Sequence, residues 1–279
     1  MTAQQMKPNP LKQRIRDGHV ALSTMSSLTD PAVVEILARA GFDGVIIEME
    51  HMPIDLGRVR ELVLVAELAG IASQVRIGLG EWATVQQLLE IGLQGVQVAH
   101  VRTREDAEEA VNAVRYPPIG RRGALATSRA AGYGDVGWAE HVRTANEEVF
   151  LNLMIEDAEG LDNLDAIAST DGVDVITIGP HDLAESLGVG DQPGHPRLRS
   201  AVDDVSRLLR AKGKARLGLS IGHPLLPMTV ETIRALGVVH SNVLPSVERH
   251  LLNTLRQRVG DLRDSEAIVR QSLQAAPSD

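Results

Sequence analysis

The sequence predicts a single α/β domain folded as a closed (β/α)8 barrel, and three observations lead to that prediction. Strand-like and helix-like segments alternate from one end of the chain to the other, which is typical of a parallel sheet. The strand-like segments number eight, enough to close a barrel. The length of 279 residues is ordinary for one barrel of the TIM type.

Each predicted strand is a short aliphatic run, as expected for parallel strands that are buried on both faces. The eight runs lie at residues 19–24, 43–49, 72–77, 94–98, 149–155, 173–178, 215–220 and 237–243. With 43% hydrophobic and only 2% aromatic residues, the core must consist mainly of Val, Leu, Ile and Ala. No glycine-rich phosphate loop follows the first run, which argues against a dinucleotide-binding sheet.

The clearest helical patterns between these runs cover residues 31–40, 55–69 and 103–114. Asp30 precedes a proline and is a predicted N-cap, with Pro31 at the first helical position. Gly41 and Gly70 follow their helices, as C-cap glycines do. These boundaries support the alternation on which the fold prediction depends.

No linker-like change of composition divides the chain, so we expect one domain over residues 1–279, with flexible ends at 1–10 and 275–279. Residues 115–148 interrupt the strand and helix rhythm. A connection of that length in a compact domain is usually functional or part of an interface.

Composition excludes several classes of protein. The formal charge is −9 and the basic residues are scattered, so no nucleic-acid surface is expected. No apolar run reaches the length of a membrane span, and the N-terminal residues are polar. The absence of cysteine excludes disulfides and thiolate metal sites. A cytoplasmic protein with no nucleic-acid or membrane partner is the expectation.

Catalytic groups of a parallel barrel lie at the C-terminal ends of its strands. Four predicted strands end in polar residues, namely in Glu48-Met49-Glu50-His51, Arg76, Glu156 and Gly179-Pro180-His181-Asp182. Arg76 closes an otherwise apolar strand, so its charge must face water, a carboxylate or an anionic ligand. His51 is compatible with a catalytic base or with a structural hydrogen bonder. His181 and His100 are weaker candidates for a catalytic role, and capping or interface roles suit them equally well.

Glu156 and Asp182 follow neighbouring strands, and two carboxylates there could bind a hard divalent cation such as Mg²⁺ or Mn²⁺, with Co²⁺ as a further candidate. The alternative is that Asp182 caps a helix and Glu156 forms a surface ion pair.

The positions of the lysines argue against one type of carbonyl chemistry, the Schiff-base mechanism. Lys7 and Lys12 belong to the N-terminal arm, and Lys212 and Lys214 precede the seventh predicted strand, at the opposite end of the barrel. No lysine is placed to form a Schiff base at the mouth of the barrel, the end at which the C-terminal ends of the strands lie. Carbonyl chemistry would therefore require a metal as the electron sink. No serine nucleophile elbow is present.

Several motifs between about Leu11 and Leu252 together resemble the HpcH/HpaI aldolase family. They are AGFDGVIIEMEH at 40–51, Arg76, LLEIG at 88–92, RYPPIGRRG at 115–123, MIE at 154–156 and GPHDLAESLG at 179–188. The resemblance implies an aldolase that forms or cleaves 4-hydroxy-2-oxo acids through a pyruvate enolate and an aldehyde. It also implies a homo-oligomer, a hexamer in which C-terminal helices are exchanged between subunits.

The resemblance assigns roles to individual residues. His51 corresponds to the general base, Glu90 to an acidic residue that pairs with that histidine, and Arg76 to the arginine that stabilises the enolate. Glu156 and Asp182 correspond to the metal ligands. The substrate-binding positions are Met154, Gly179, Pro180, His181 and Asp182, with the backbone at the last two holding the pyruvate carboxylate.

Some positions depart from the usual pattern of the family. They are Glu48, Glu90, Ala99, Met154 and the segment 241–250. None of these positions is a predicted metal ligand. The departures affect residues predicted to lie near the substrate. Two other functions therefore stay open: decarboxylation of oxaloacetate-like acids with the same metal and enolate, and binding of a 2-oxo acid without turnover.

Overall fold

A computed structural model describes residues 7–243 and 246–274, with side chains described as far as residue 265. Its centre is a closed barrel of eight parallel strands in chain order, β1 pairing with both β2 and β8. The strands are β1 (Ala21–Ser26), β2 (Gly44–Glu48), β3 (Ala72–Ile77), β4 (Gly95–Val98), β5 (Phe150–Ile155), β6 (Val175–Ile178), β7 (Arg216–Leu219) and β8 (Val238–Asn242). The predicted fold class is confirmed.

Helices surround the barrel and connect successive strands. They are α1 (Pro10–Arg16), α2 (Pro31–Ala40), α3 (Leu56–Ala69), α4 (Trp82–Ile91), α5 (Arg104–Val114), α6 (Trp138–Glu148), α7 (Ala158–Asp162), α8 (Leu164–Ile167), α9 (Pro180–Ser186), α10 (Pro196–Lys212), α11 (Val230–Leu236) and α12 (Val247–Gln274). The predicted ends of α2 are confirmed: Asp30 caps its first turn, and Gly41 follows it with a φ of 91°. The main aliphatic core lies between the strands and this layer of helices.

β1 begins and ends two residues later than predicted. The predicted end falls short because Ser26 is polar but buried and so lies beyond the aliphatic pattern. Ser23 and Thr24, inside the predicted run, are also polar and buried. Ser23 Oγ accepts a hydrogen bond of 3.0 Å from Gln74 of β3 and lies 3.1 Å from His240 Nε2 of β8. Since β1 and β3 are not neighbours, the bond between them crosses the barrel interior, which is polar at this level.

The N-terminal arm is attached to the N-terminal end of the barrel. Asn9 is fully buried, caps α1, and donates hydrogen bonds to the carbonyls of Gln94 (2.8 Å) and Glu148 (2.9 Å). The flexible segment predicted at 1–10 therefore does not extend to Asn9, because its amide satisfies buried backbone groups. Residues 1–6 and the predicted flexible end at 275–279 lie outside the described residues.

The connection that follows α5 is anchored by Arg115, whose side chain is 2% exposed. Its guanidinium donates to the carbonyls of Gly172 (2.9 Å) and Val149 (2.6 Å) and to the carboxylate of Asp174 (2.7 Å). The connection also contains α6 and a short 3₁₀ turn at Gly132–Gly134. The first residue of the segment thus has a structural role, and the functional or interface role predicted for residues 115–148 stays a prediction.

Arg115→Met should lower the free energy of unfolding by about 3–5 kcal/mol, the range for removing one partner of a buried ion pair. The loss is large because the Gly172 carbonyl loses both of its guanidinium bonds and the Val149 carbonyl loses its 2.6 Å donor. Asp174 keeps Lys12 and the N–H of Leu151 but loses its buried guanidinium partner. Urea denaturation followed by circular dichroism measures it. The control is Arg121→Met at a nearby exposed arginine, where the change should stay within about 0.5 kcal/mol. Equal urea midpoints for the two variants would contradict the anchoring role.

Candidate active site

The polar residues that end β2 and β3 meet because of the register between these strands. Glu48 is the pairing partner of Arg76 in the parallel ladder, so the two side chains emerge on the same side of the sheet. Arg76 Nε donates a 2.6 Å hydrogen bond to Glu48 Oε2. Glu48 is 2% exposed, which makes this a buried, charge-assisted contact.

The second carboxylate oxygen of Glu48 shapes the turn after β2. Glu48 Oε1 accepts the backbone N–H groups of Glu50 and His51, both at 2.9 Å. One buried carboxylate therefore orients Arg76 and also the segment that carries His51. In the sequence, Glu48 was one of the polar residues after the second predicted strand and a departure from a family pattern, with no role of its own assigned. An acidic residue ending the aliphatic run 44–48 was the available signal for its role.

Glu50 links three basic groups at the mouth. Its Oε2 lies 3.2 Å from Arg76 Nε and 3.6 Å from His51 Nε2, and its Oε1 lies 3.6 Å from His100 Nε2. The side chain of His51 is 64% exposed, so its ring is open to a ligand entering from solvent. Within the chain, Glu50 is the acidic partner of His51.

Glu90 lies elsewhere, and its predicted pairing with His51 is not formed within this chain. It belongs to the last turn of α4, and helices of a barrel run antiparallel to its strands, so this turn lies away from the mouth. Glu90 Oε1 instead accepts a 3.2 Å hydrogen bond from Arg122, whose side chain is fully buried. The guanidinium of Arg122 also stacks over the ring of Tyr116, 4.5 Å from its centroid.

Glu156 directly follows β5 and is 2% exposed. Its carboxylate occupies the space beside the Cα of Gly179, where the Cβ of any other residue would clash with Glu156 Oε1. Only glycine is therefore compatible with this arrangement. Burial raises the pKa of Glu156 to about 7, although the backbone N–H of His100, 3.1 Å from Oε2, acts in the opposite direction.

Asp182 lies in the first turn of α9, directly after β6, and is half-buried. Gly179 occupies the N-cap position of that helix, so Asp182 is not its cap. Glu156 is buried, and its carboxylate forms no surface ion pair with any described residue. The structure thus shows neither the helix cap nor the surface ion pair considered from the sequence, and a metal site at these two carboxylates stays a prediction. Met154 of β5 and Pro180 of α9 are buried at the same two strand exits.

His100 is a component of the mouth that the sequence offered as a weaker candidate, with a capping or interface role equally suitable. It has a φ of 55°, in the left-handed region that non-glycine residues seldom adopt. Its Nδ1 lies 3.1 Å from Asp157 Oδ2, which also accepts a 2.9 Å hydrogen bond from Arg102. Burial lowers the pKa of His100, but the hydrogen bond to Asp157 and the nearby Glu156 raise it above its ordinary value on balance. A histidine directly after the apolar strand β4 was the available signal.

Taken together, acidic residues predominate at the mouth. Glu48, Glu50, Glu156 and Asp157 face the cations Arg76 and Arg102, and Glu50 raises the pKa of Glu156 electrostatically while Arg76 lowers it. Within the described residues, no group of three or more acidic or histidine side chains is arranged around one potential cation position. A cation there would need ligands beyond the protein.

None of the described helices is long and apolar enough to cross a membrane.

Comparison with known proteins places the barrel in a family. The sequence model of the HpcH/HpaI aldolase/citrate lyase family matches residues 24–223. The hydroxypyruvate/pyruvate aldolase of Pseudomonas aeruginosa is 40% identical over 209 residues, which is 74% of this chain and 77% of the relative. The 5-keto-4-deoxy-D-glucarate aldolase of Shigella boydii is 35% identical over 207 residues, which is 74% of this chain and 80% of the relative.

A solved structure agrees with the sequence comparisons. The crystal structure of an HpcH/HpaI aldolase from Desulfitobacterium hafniense DCB-2 superposes with a TM-score of 0.76 at 27% identity, covering 98% of this chain and 99% of the other. The match extends over the whole barrel, including the strands that carry the acidic mouth. The chain therefore belongs to the HpcH/HpaI aldolase/citrate lyase family and is an aldolase, a carbon–carbon lyase.

Proposed function

We propose that the protein is a metal-dependent pyruvate aldolase that forms or cleaves 4-hydroxy-2-oxo acids, using an aldehyde as the acceptor. The observation that carries the proposal is the buried Glu156 carboxylate beside Gly179, at the same barrel mouth as Arg76 and His51. Two similar proteins are named as aldolases of pyruvate-type or sugar-acid substrates, which supports this substrate class.

The chemistry of the donor set fits a divalent cation held by Glu156 and Asp182. Carboxylate oxygens are preferred ligands of Mg²⁺ and Mn²⁺, and Co²⁺ is a further candidate. Glu156 is desolvated, and the N–H of His100 donates to its Oε2. A carboxylate has further acceptor positions, and these can bind a cation. Two protein ligands leave positions for water and for substrate oxygens. When bound, such a cation acts as a Lewis acid towards the oxygens of a 2-oxo acid.

The residues of the chain supply the other functions. His51 is open to solvent and removes a proton from the methyl group of pyruvate, with Glu50 beside it. Arg76 donates hydrogen bonds to the oxygen on which negative charge develops, and Glu48 holds its guanidinium in place. The first N–H groups of α9, at His181 and Asp182, lack intrahelical acceptors and are available to the substrate carboxylate, next to Gly179 and Pro180. Met154 contributes an apolar surface.

The oligomeric state is also part of the proposal. The outer face of α12 exposes Leu251, Leu255, Val259 and Leu262, which is unusual for the surface of a monomer. These side chains support a homo-oligomer in which α12 packs on another subunit, and the number of six subunits is what the family resemblance implies.

Borohydride plus pyruvate should leave the enzyme active and unmodified, because a reducible imine requires a lysine at the mouth. The lysines pair with acidic residues away from the C-terminal strand ends: Lys12 with Asp174 (2.7 Å), Lys212 with Asp165 (2.9 Å) and Lys214 with Asp171 (2.9 Å). Lys7 approaches Glu67. A strong chelator should stop the reaction, and Mg²⁺ or Mn²⁺ should restore it. Mass spectrometry and an aldol assay measure the two responses.

The incubation time with chelator must be varied in this experiment, because a tightly held ion leaves slowly. Elemental analysis establishes when the protein is metal-free. A pyruvate-sized mass increase on a lysine, together with full activity of the metal-free protein, would overturn the proposed mechanism.

A further inference from the structure

Two histidines whose side chains have no role in the proposed chemistry face each other at the mouth. His181 lies in the first turn of α9, after β6, and His223 lies in the loop after β7. Their ring centroids are 6.5 Å apart, with the planes tilted by 46°. His181 is exposed and His223 is half-buried, so the space between the rings is reached from solvent.

The ring of His223 is held in one orientation and one tautomer. Its Nδ1 accepts a 3.2 Å hydrogen bond from the backbone N–H of Leu225, so this nitrogen carries no proton and the neutral ring has its N–H at Nε2. The loop itself is fixed, because Leu226 N–H donates to the carbonyl of His223 (3.0 Å) and Gly194 N–H donates to that of Leu225 (2.9 Å). His223 therefore presents a preorganised N–H donor.

Within the described chain, no hydrogen bond joins the two rings. A hydrogen bond from a ring N–H to an oxygen spans about 2.9 Å between heavy atoms. Two such bonds that meet at an angle on one oxygen fit a ring separation of this size. The separation of the two rings therefore suits a site in which both imidazoles bind one oxygen-bearing group, rather than a direct packing contact between the rings.

We propose that His181 and His223 form a carboxylate-binding subsite of the aldolase, with each imidazole donating one N–H to the carboxylate. The proposal rests on the proposed function and adds to it the side chains that recognise one substrate group. The carboxylate comes either from the 2-oxo acid or from an acceptor aldehyde that carries one, and the subsite chemistry is the same for both.

The test compares two replacements of His223 that each mimic one of its ring nitrogens. Asn at this position can still accept the N–H of Leu225 but has no donor at the distance of Nε2, whereas Gln can place a donor there. We expect His223→Asn to weaken carboxylate recognition by about 10- to 100-fold, the range for one hydrogen bond to a charged group, and His223→Gln to weaken it less. His181→Ala, at an exposed position, should cause a similar loss. His19→Ala, at an exposed histidine before β1, is the control and should cause none.

Two kinetic measurements separate the sources of the carboxylate. Exchange of pyruvate methyl protons without aldehyde gives KM for the 2-oxo acid. The ratio of kcat/KM for glyoxylate to that for glycolaldehyde gives recognition of an acceptor carboxylate. A change in the first supports the subsite with the 2-oxo acid as its ligand, and a change in the second supports it with the acceptor as its ligand. Unchanged values in both, or equal losses in His223→Asn and His223→Gln, would overturn the proposal.

Failure of the proposed function can be distinguished from failure of the subsite. If wild-type protein neither exchanges pyruvate protons nor performs aldol addition, the proposed function fails. Calorimetric titration of the same variants with pyruvate and glyoxylate then tests the subsite alone. Wild-type affinity for both acids in His181→Ala and His223→Asn would exclude it.

Discussion

Glu156→Gln should abolish metal binding and aldolase activity while the fold survives. The amide has the shape of the carboxylate, so it can still accept the N–H of His100 and lie against Gly179. It lacks the negative charge that a hard cation requires. Loss of a group that only hydrogen-bonds a metal ligand lowers metal affinity by about 10- to 100-fold. Loss of a ligand itself should therefore lower the affinity by more than about 100-fold. Calorimetric titration with Mn²⁺ measures the affinity, and thermal unfolding checks the fold.

Asp182→Asn should have the same effect, because the second proposed ligand comes from the neighbouring strand exit. The matched control for metal affinity is Asp157→Asn. This carboxylate is adjacent to Glu156 in the sequence but accepts hydrogen bonds from Arg102 and His100. Metal affinity in that variant should fall by no more than about 10- to 100-fold, as expected for a group that does not itself bind the cation. If Glu156→Gln or Asp182→Asn binds Mn²⁺ as tightly as the wild-type protein, the proposed metal site is wrong.

His51→Ala should slow the exchange of pyruvate methyl protons by about 10² to 10⁴, the usual range for loss of a general base. Stability should hardly change, since the side chain is 64% exposed and its contact is with Glu50 at 3.6 Å. The backbone N–H that Glu48 accepts is kept in the variant. Proton NMR in D₂O measures the exchange rate with metal and pyruvate at saturation.

His19→Ala is again the control, because His19 is exposed and precedes β1 at the other end of the barrel. Mn²⁺ affinity should be the same in both variants, which separates loss of the base from loss of the cation. An exchange rate in His51→Ala equal to that of the wild-type protein would assign proton removal to another group.

Much of the fold could be predicted because its signals are local. An aliphatic run predicts a buried parallel strand wherever it occurs, and β3 was predicted with its observed ends at 72 and 77. The end of β1 was displaced because buried Ser26 carries no such signal. The partners of the buried polar side chains of β1 lie elsewhere in the fold, since Ser23 bonds with Gln74 and His240 of other strands and Ser26 Oγ lies 3.4 Å from Glu248 of α12.

The predicted site was partly recoverable for a similar reason. The rule that strand ends face one mouth brings Arg76 and His51 together, and the structure agrees. Glu90 was assigned by family resemblance alone, and its position on α4 separates it from His51 within the chain. Residues with roles in that mouth, such as Glu50 and Asp157, differ from ordinary surface acids only through their neighbours in space.

The sequence by itself determined the order of strands and helices, the family and the strand exits that carry polar residues, since these depend on periodicity and on short motifs. Only the tertiary structure decided which of those residues touch. The register of β2 against β3 pairs Glu48 with Arg76, and closure of β5 against β6 buries Glu156 beside Gly179. The physical reason is that burial, pKa and hydrogen bonding depend on distances between residues far apart in the chain, and barrel closure sets those distances.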